Sequence, residues 1–271
     1  MSYYEVLNLK SEPFSTSPDP RFFYPSPSHN AALKRLEIAV RLRRGLNVIL
    51  GDVGTGKTTL SRMLMQTLSN EPNFIFHMIL DPSHKTEFQF LSSLAKMFDV
   101  RPTFRSTLDY KEALEKYLFQ KGVDENKTIV LLIDEGQKLT PSQLEILRTL
   151  LNYETNEYKL LQLIILSQIE LLPKIRRIRN FMDRINLKYI INPLDEDETK
   201  SMIDFRLKQA GYAGYEPLFT DGAIRHIYEH TQGYPRKISM ICHNALETLI
   251  IQNRKVVDES LVEELIAHEV R

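Results

Sequence analysis

The chain has 271 residues, with 35 Lys plus Arg set against 35 Asp plus Glu, 42% hydrophobic and 26% charged. That length allows one large domain, or a medium domain carrying a smaller one, with enough chain for a full core. The composition excludes disordered, collagen-like and coiled-coil chains, and the zero net charge disfavours a globally basic nucleic-acid binder while leaving room for a local patch.

Cys242 is the single cysteine, which excludes an intramolecular disulfide and a thiolate cluster and points to a reducing compartment. The N-terminus lacks the charged and apolar regions of a signal peptide, and no stretch reaches ~18 uninterrupted apolar residues. A cytoplasmic chain without an integral membrane segment is expected.

Residues 1–30 interleave Pro13, Pro18, Pro20, Pro25 and Pro27 with Phe14, Phe22, Phe23 and Tyr24. The prolines forbid a regular helix, and the aromatics are too hydrophobic for a disordered tail. An ordered, irregular arm packed on the domain is predicted. Residues 28–44 read as a helix with Ser28 as N-cap. A short apolar strand at 47–50 then runs through a glycine-rich turn into a helix at 57–68. A second strand is expected at 74–80, closed by Asp81-Pro82, and helices at about 85–97 and 108–121, around a turn holding Pro102. The unbroken run at 128–133 has the character of a strand buried on both faces of a parallel sheet. A helix at 141–152, another buried strand at 160–166 and a short strand at 189–191 follow.

Strands alternating with helices imply an α/β fold, a parallel sheet sandwiched by helices. From Asp195 the strand signals stop, and 195–210, 220–231, 235–252 and 258–269 read as amphipathic helices. The expected organisation is an arm plus α/β domain over 1–193 and an all-helical lid over 194–271.

Gly51-Asp52-Val53-Gly54-Thr55-Gly56-Lys57-Thr58 matches G-x-x-x-x-G-K-[ST] between a predicted strand and a predicted helix. Its glycines let backbone N–H groups surround phosphate oxygens at a helix N-terminus. Lys57 is suited to the β/γ-phosphates and Thr58 to magnesium. The strand at 128–133 ends in Asp134-Glu135, adjacent carboxylates that point differently and can divide two jobs. Asp134 would serve the magnesium ion and Glu135 the water that attacks the γ-phosphate. A third strand ends in Ser167-Gln168, either of which could reach that water or phosphate, or simply cap the next element.

Lys174, Arg176, Arg177, Arg179 and Arg184 form a basic run, from which an arginine could reach a neighbouring subunit's nucleotide or merely line a solvated helix face. Gly233-Tyr234-Pro235-Arg236 opens a helix of the lid, where Arg236 could close onto the phosphates. His226 and His230 lack a recognisable third ligand and read as packing residues, and Cys242 as a small buried hydrophobe.

With these residues in place the sequence resembles AAA+ ATPases, specifically the ATPase domain of the ExeA/GspA family of general secretion pathway proteins. Tyr3-Tyr4-Glu5-Val6-Leu7-Asn8-Leu9, Glu12-Pro13-Phe14-Ser15 and Ser17-Pro18-Asp19-Pro20-Arg21-Phe22-Phe23-Tyr24 look like that family's opening. The phosphate loop through Thr59, Ile133-Asp134-Glu135, Arg184-Ile185 and Gly233-Tyr234-Pro235-Arg236 continue the match. The resemblance implies Walker A over Gly51 to Thr59, Walker B at Asp134-Glu135, an inter-subunit arginine at Arg184 and sensor 2 at Arg236. Where the family has Gly-Gln-Pro-Glu-Leu, this chain has Ser167-Gln168-Ile169-Glu170-Leu171. Gln168 is retained, which selects it over Ser167 as sensor 1.

The resemblance further implies ATP and Mg2+ at an inter-domain, inter-subunit site, with Phe14 and Tyr24 on the adenine side. It implies self-association and secretion or pilus assembly proteins as partners. Similarity also extends to transposition ATPases of the TniB/TnsC type, which makes duplex DNA an alternative partner, and Lys34, Arg35, Arg41, Arg43 and Arg44 add to the basic run that motivates it. A chain of negligible turnover acting as a nucleotide-gated adaptor is a third reading. Family members continue into a membrane segment and a periplasmic part. Asp258, Glu259, Glu263, Glu264 and Glu269 oppose the basic run, a pairing that head-to-tail self-association could use.

Overall fold

The computed structural model describes residues 3–17, 19–101 and 104–269, so Pro18, Pro102 and the side chain of Glu269 lie outside the described residues. In chain order the principal elements are α1 (Tyr3–Val6), α2 (Pro27–Arg41), β1 (Leu46–Leu50), α3 (Lys57–Leu68), β2 (Phe74–Ile79), α4 (Glu87–Met97) and α5 (Thr107–Phe119). These are followed by β3 (Thr128–Ile133), α6 (Pro141–Leu150), β4 (Leu161–Ser167), α7 (Leu171–Arg176) and β5 (Ile185–Ile190). The chain closes with α8 (Glu196–Gln209), α9 (Asp221–Thr231), α10 (Pro235–Ile251) and α11 (Glu259–Glu269).

Two compact units emerge. The sheet unit is His29–Asp52 with Leu60–Ile191; the helical unit takes the chain up to Ser28, the segment Val53–Thr59 and everything from Asn192.

In the sheet unit the five strands are parallel, in the order β2-β3-β4-β1-β5. Every residue of β1, β3 and β4 is buried, as expected where helices cover both faces and the strands read as continuous Val, Ile and Leu. Ile129, Leu131 and Ile133 enter a core with Leu91, Leu94, Leu147 and Leu163. Val130 and Leu132, pointing to the opposite face, are equally buried.

The edges behave differently. β5 alternates half-buried Ile185, Leu187 and Tyr189 with exposed Asn186, Lys188 and Ile190, so it is longer than the segment predicted at 189–191. The interspersed Asn and Lys hide an edge strand from a search for apolar runs. Ile191 lies just beyond it, its N–H donating to the carbonyl of Leu50 at 2.8 Å. α2 begins at Pro27, whose fixed φ suits a first turn, and Ser28 therefore lies inside the helix and does not cap it. α5 passes at its C-terminus into a π-helical turn over Gln120–Asp124.

In the helical unit α8 starts from a capping box of Asp195 and Glu198, α9 from a Thr220 cap, and α10 from Pro235 in its first turn. Their apolar faces enclose Ile203, Leu207, Ile227, Ile238, Leu246 and Leu261. The arm belongs to this unit: Phe14 is buried among these helices, edge-on to Phe219 at 6.0 Å between centroids. Lys10 N–H also donates to the carbonyl of Ala210 at 2.7 Å. The arm thus groups with the helical residues, and its aromatic Phe14 completes their core.

Candidate functional site

The phosphate-loop segment starts where β1 ends. Leu50 is in register with Ser167 of β4, and the Gly51 N–H donates to the Ser167 carbonyl at 3.1 Å, so the loop leaves the C-terminal edge of the sheet between two central strands. Gly54 and Gly56 adopt φ of +83° and +94°, a conformation that L side chains rarely reach. Left-handed residues in such a turn make a concavity of inward-facing N–H groups, and α3 opens at Lys57 directly behind it. Within the helical unit the Arg236 N–H donates to the Gly54 carbonyl at 3.3 Å. One otherwise unsatisfied donor of the first turn of α10 is thereby used by the loop. The side chain of Arg236 is exposed.

One strand away from β1, on the far side of β4, β3 ends at the same edge, with Ile133 in register with Ile165. Asp134 is buried, its N–H donating to the Ile79 carbonyl at 2.8 Å, and its Oδ1 accepts the Glu135 N–H at 2.9 Å. Glu135 is half-buried in the left-handed region at φ +53°, which turns the chain sharply after Asp134. Gly136 follows because a β-carbon there would stand 2.4 Å from Ile165 Cγ2. A set of N–H groups at a helix start suits a phosphate, and a buried carboxylate suits a hard, oxygen-seeking cation.

The structure adds a residue that the sequence reading missed. Gln137 donates from Nε2 to Glu135 Oε2 at 2.7 Å, while its Oε1 accepts from Ser167 Oγ and from the Gln168 N–H, both at 3.2 Å. Of the pair at the end of β4, buried Ser167 brings its hydroxyl to this network and Gln168 its backbone. The only available signal was position, two residues after Glu135.

Other expectations are redrawn. Phe14 is 1% exposed inside the helical core and so presents no surface to an adenine ring; Tyr24 packs against Phe205 at 6.0 Å. Lys174 leaves the exposed basic run, since its ammonium donates to the carbonyls of Gln137 and Leu139. Arg176, Arg177 and Arg179 are exposed. Arg184 closes a short 3-10 turn before β5, and its Nε is buried without a partner among the described residues.

Upstream, Arg41 pairs with Glu37 and Glu71. Arg43 lies over the Tyr158 ring and donates to Thr128 and Asn126. These two are engaged within the protein and are poor candidates for a phosphate-binding surface. His226 faces Glu229 and Glu263, and among the described residues no group of three metal-ligating side chains occurs. Cys242 is buried, and that burial pushes its thiol up.

A family model described as AAA domain matches residues 40–175, which span β1 through β4 and both the phosphate loop and Asp134-Glu135. The chain belongs to the AAA domain family. It is therefore a P-loop ATPase by family. General secretion pathway protein A of Aeromonas hydrophila is 37% identical over 254 residues, 90% of this chain and 44% of that protein. The chain thus spans less than half the length of this curated relative. Over 84 residues, 30% of this chain and 20% of the other, it is also 37% identical to an uncharacterized HTH-type transcriptional regulator of Methanocaldococcus jannaschii.

Among solved structures, Drosophila ORC bound to DNA superposes with a TM-score of 0.71 at 20% identity, covering 100% of this chain and 66% of that one. The Aeropyrum pernix ORC2 protein does so with 0.67 at 17%, covering 90% of this chain and 67% of that one. These likenesses concern the fold: an AAA+ sheet flanked by helices and followed by a helical region.

Proposed function

We propose that this chain binds ATP–Mg through Gly51 to Thr59 and hydrolyses it, with Thr58 and Asp134 toward the metal ion and Glu135 as general base. The observation that carries this reading is the phosphate loop with Gly54 and Gly56 at positive φ, leaving the same sheet edge at which Asp134 and Glu135 end β3. Bound ATP–Mg supplies the phosphoanhydride bond that water cleaves. Lys57 neutralises phosphate charge, Glu135 accepts a proton from water, and Arg236, set on the turn held by Gly54, adds a positive charge. Gln168 and Arg184 are assigned the sensor 1 and inter-subunit roles.

Two substitutions test the chemistry. Lys57→Ala should abolish nucleotide binding, and Glu135→Gln should keep binding while lowering turnover roughly a hundredfold or more. Wild-type turnover in Glu135→Gln refutes the assignment of the base.

The similarity to General secretion pathway protein A supports assembly of a secretion or pilus apparatus as the use of this cycle, in the cytoplasm and at the inner membrane through partners. Among the described residues no helix is long and apolar enough to cross a membrane. Self-association through Arg184 predicts specific activity that rises with protein concentration and falls in Arg184→Ala without loss of ATP affinity.

A second reading, ATP-dependent binding of duplex DNA, is favoured by the exposed Arg176, Arg177 and Arg179. Binding should then weaken steeply with salt and with charge removal at those arginines. No mobility shift at any salt removes this reading.

A further inference from the structure

Gln137 has its amide oriented without ambiguity. The Gln168 backbone N–H can only donate, so the group facing it at 3.2 Å must be the amide oxygen; Ser167 Oγ lies beside it, its single proton shared between that oxygen at 3.2 Å and the Gln168 carbonyl at 3.0 Å. The amide nitrogen is thereby turned to Glu135 Oε2 at 2.7 Å. The neutral donor occupies one carboxylate oxygen without cancelling the charge, as a lysine or arginine in its place would. The support behind it is rigid: Ser167 is fully buried, its carbonyl receives the Gly51 N–H at 3.1 Å, and Gly136 is wedged against Ile165 and Ser167.

We infer that Gln137 is a positioning residue that fixes the Glu135 carboxylate and couples it, through Ser167 and the Gln168 peptide, to the end of β4 and the first residue of the phosphate loop. A glutamate side chain has three rotatable bonds. Held only by its own backbone turn it would sample orientations that do not meet the attacking water, and misplacement of a base by about 1 Å costs up to a hundredfold in rate. Gln137 removes that freedom while the carboxylate remains the group that takes the proton. The inference rests on the reading of Glu135 as general base.

The test uses the whole chain with ATP–Mg, measuring kcat and KM in steady state, single turnover at excess protein, nucleotide affinity and thermal midpoint. Gln137→Leu, close in size but lacking both polar groups, should lower kcat roughly tenfold to a hundredfold with KM and affinity within about twofold. Gln137→Glu keeps the acceptor toward Ser167 and Gln168 but loses the donor toward Glu135, and should lose at least as much; it decides the matter if Gln137→Leu fails to fold. Because Gln137 acts through Glu135, the double variant Glu135→Gln/Gln137→Leu should be no slower than Glu135→Gln alone.

Wild-type kcat in Gln137→Leu or Gln137→Glu, beside a slow Glu135→Gln, overturns the inference and leaves the reading of Glu135 standing. A loss that falls on KM, or that adds to the loss in Glu135→Gln, also overturns it, since that marks a structural role. Wild-type turnover in Glu135→Gln, or no turnover in the wild-type chain, overturns the reading and the inference together.

Discussion

Gly54 and Arg236 meet through backbone: the Arg236 N–H donates to the Gly54 carbonyl at 3.3 Å, and a β-carbon on Gly54 would stand 2.9 Å from that of Arg236. The glycine is thus needed twice, for its φ of +83° and for the close approach of the first turn of α10. The contact joins a loop of the consensus motif to a residue 182 positions later in the chain, and it gives Arg236 a fixed origin beside the phosphate loop.

Gly54→Ala should therefore weaken both stability and nucleotide binding. The left-handed backbone alone costs about 1–2 kcal/mol for a residue with a β-carbon, and the clash with Arg236 adds to it. Thermal unfolding and titration with a fluorescent ATP analogue check this. A variant with wild-type melting and affinity would show that the loop and α10 part without penalty.

Directly after Glu135, Gly136→Ala places a β-carbon 2.4 Å from Ile165 Cγ2 and 3.1 Å from Ser167 Cβ. Neither neighbour can retreat, because β4 is buried along its whole length. The expected loss is about 1–3 kcal/mol from overpacking, with a fall in turnover as the Glu135 turn is pushed away from β4. Chemical denaturation and a phosphate-release assay measure the two effects.

The arm contributes core to the helical unit, and Phe14 is its most buried aromatic at 1% exposure. Phe14→Ala should destabilise that unit by about 3–5 kcal/mol, the range for removing a buried aromatic ring. Urea unfolding followed by tyrosine fluorescence reports the change. A loss below about 1 kcal/mol would mean that the arm contributes little to the helical core.

His77, on edge strand β2, lies against Phe98 at 4.3 Å between centroids, and burial pushes its imidazole down to about 4. In the unfolded chain the same group takes its proton near 6.5. Between those values the unfolded state binds the extra proton, so stability is fully present above about 6.5 and falls as pH drops toward 4. His77→Phe should flatten the stability profile over that window by no more than one proton. Denaturation midpoints from pH 7 to 4 would show an unchanged slope if the imidazole were protonated in the folded chain.

Much of this protein was legible as local pattern. The run Thr128–Ile133 and the apolar heart of β4 announced central strands because burial on both faces admits little but aliphatic residues. The glycine turn between β1 and α3 was legible because left-handed backbone between strand and helix is a local requirement, and the later helices because Asp195, Thr220 and Pro235 are local start signals. β5 was legible only at its end, since an edge strand tolerates Asn186 and Lys188 on its open face.

By itself, then, the sequence determined the α/β class and the order along the chain of the five strands and of the later helices. Tertiary structure decided the strand order in space, the membership of the arm in the helical unit, the internal engagement of Lys174, Arg41 and Arg43, and the bridge from Glu135 through Gln137 to Ser167. The physical reason is range. Periodicity and capping record which face of one element is buried, whereas a hydrogen bond between residues about 30 positions apart depends on which strands become neighbours. That choice is made by the packing of the whole sheet.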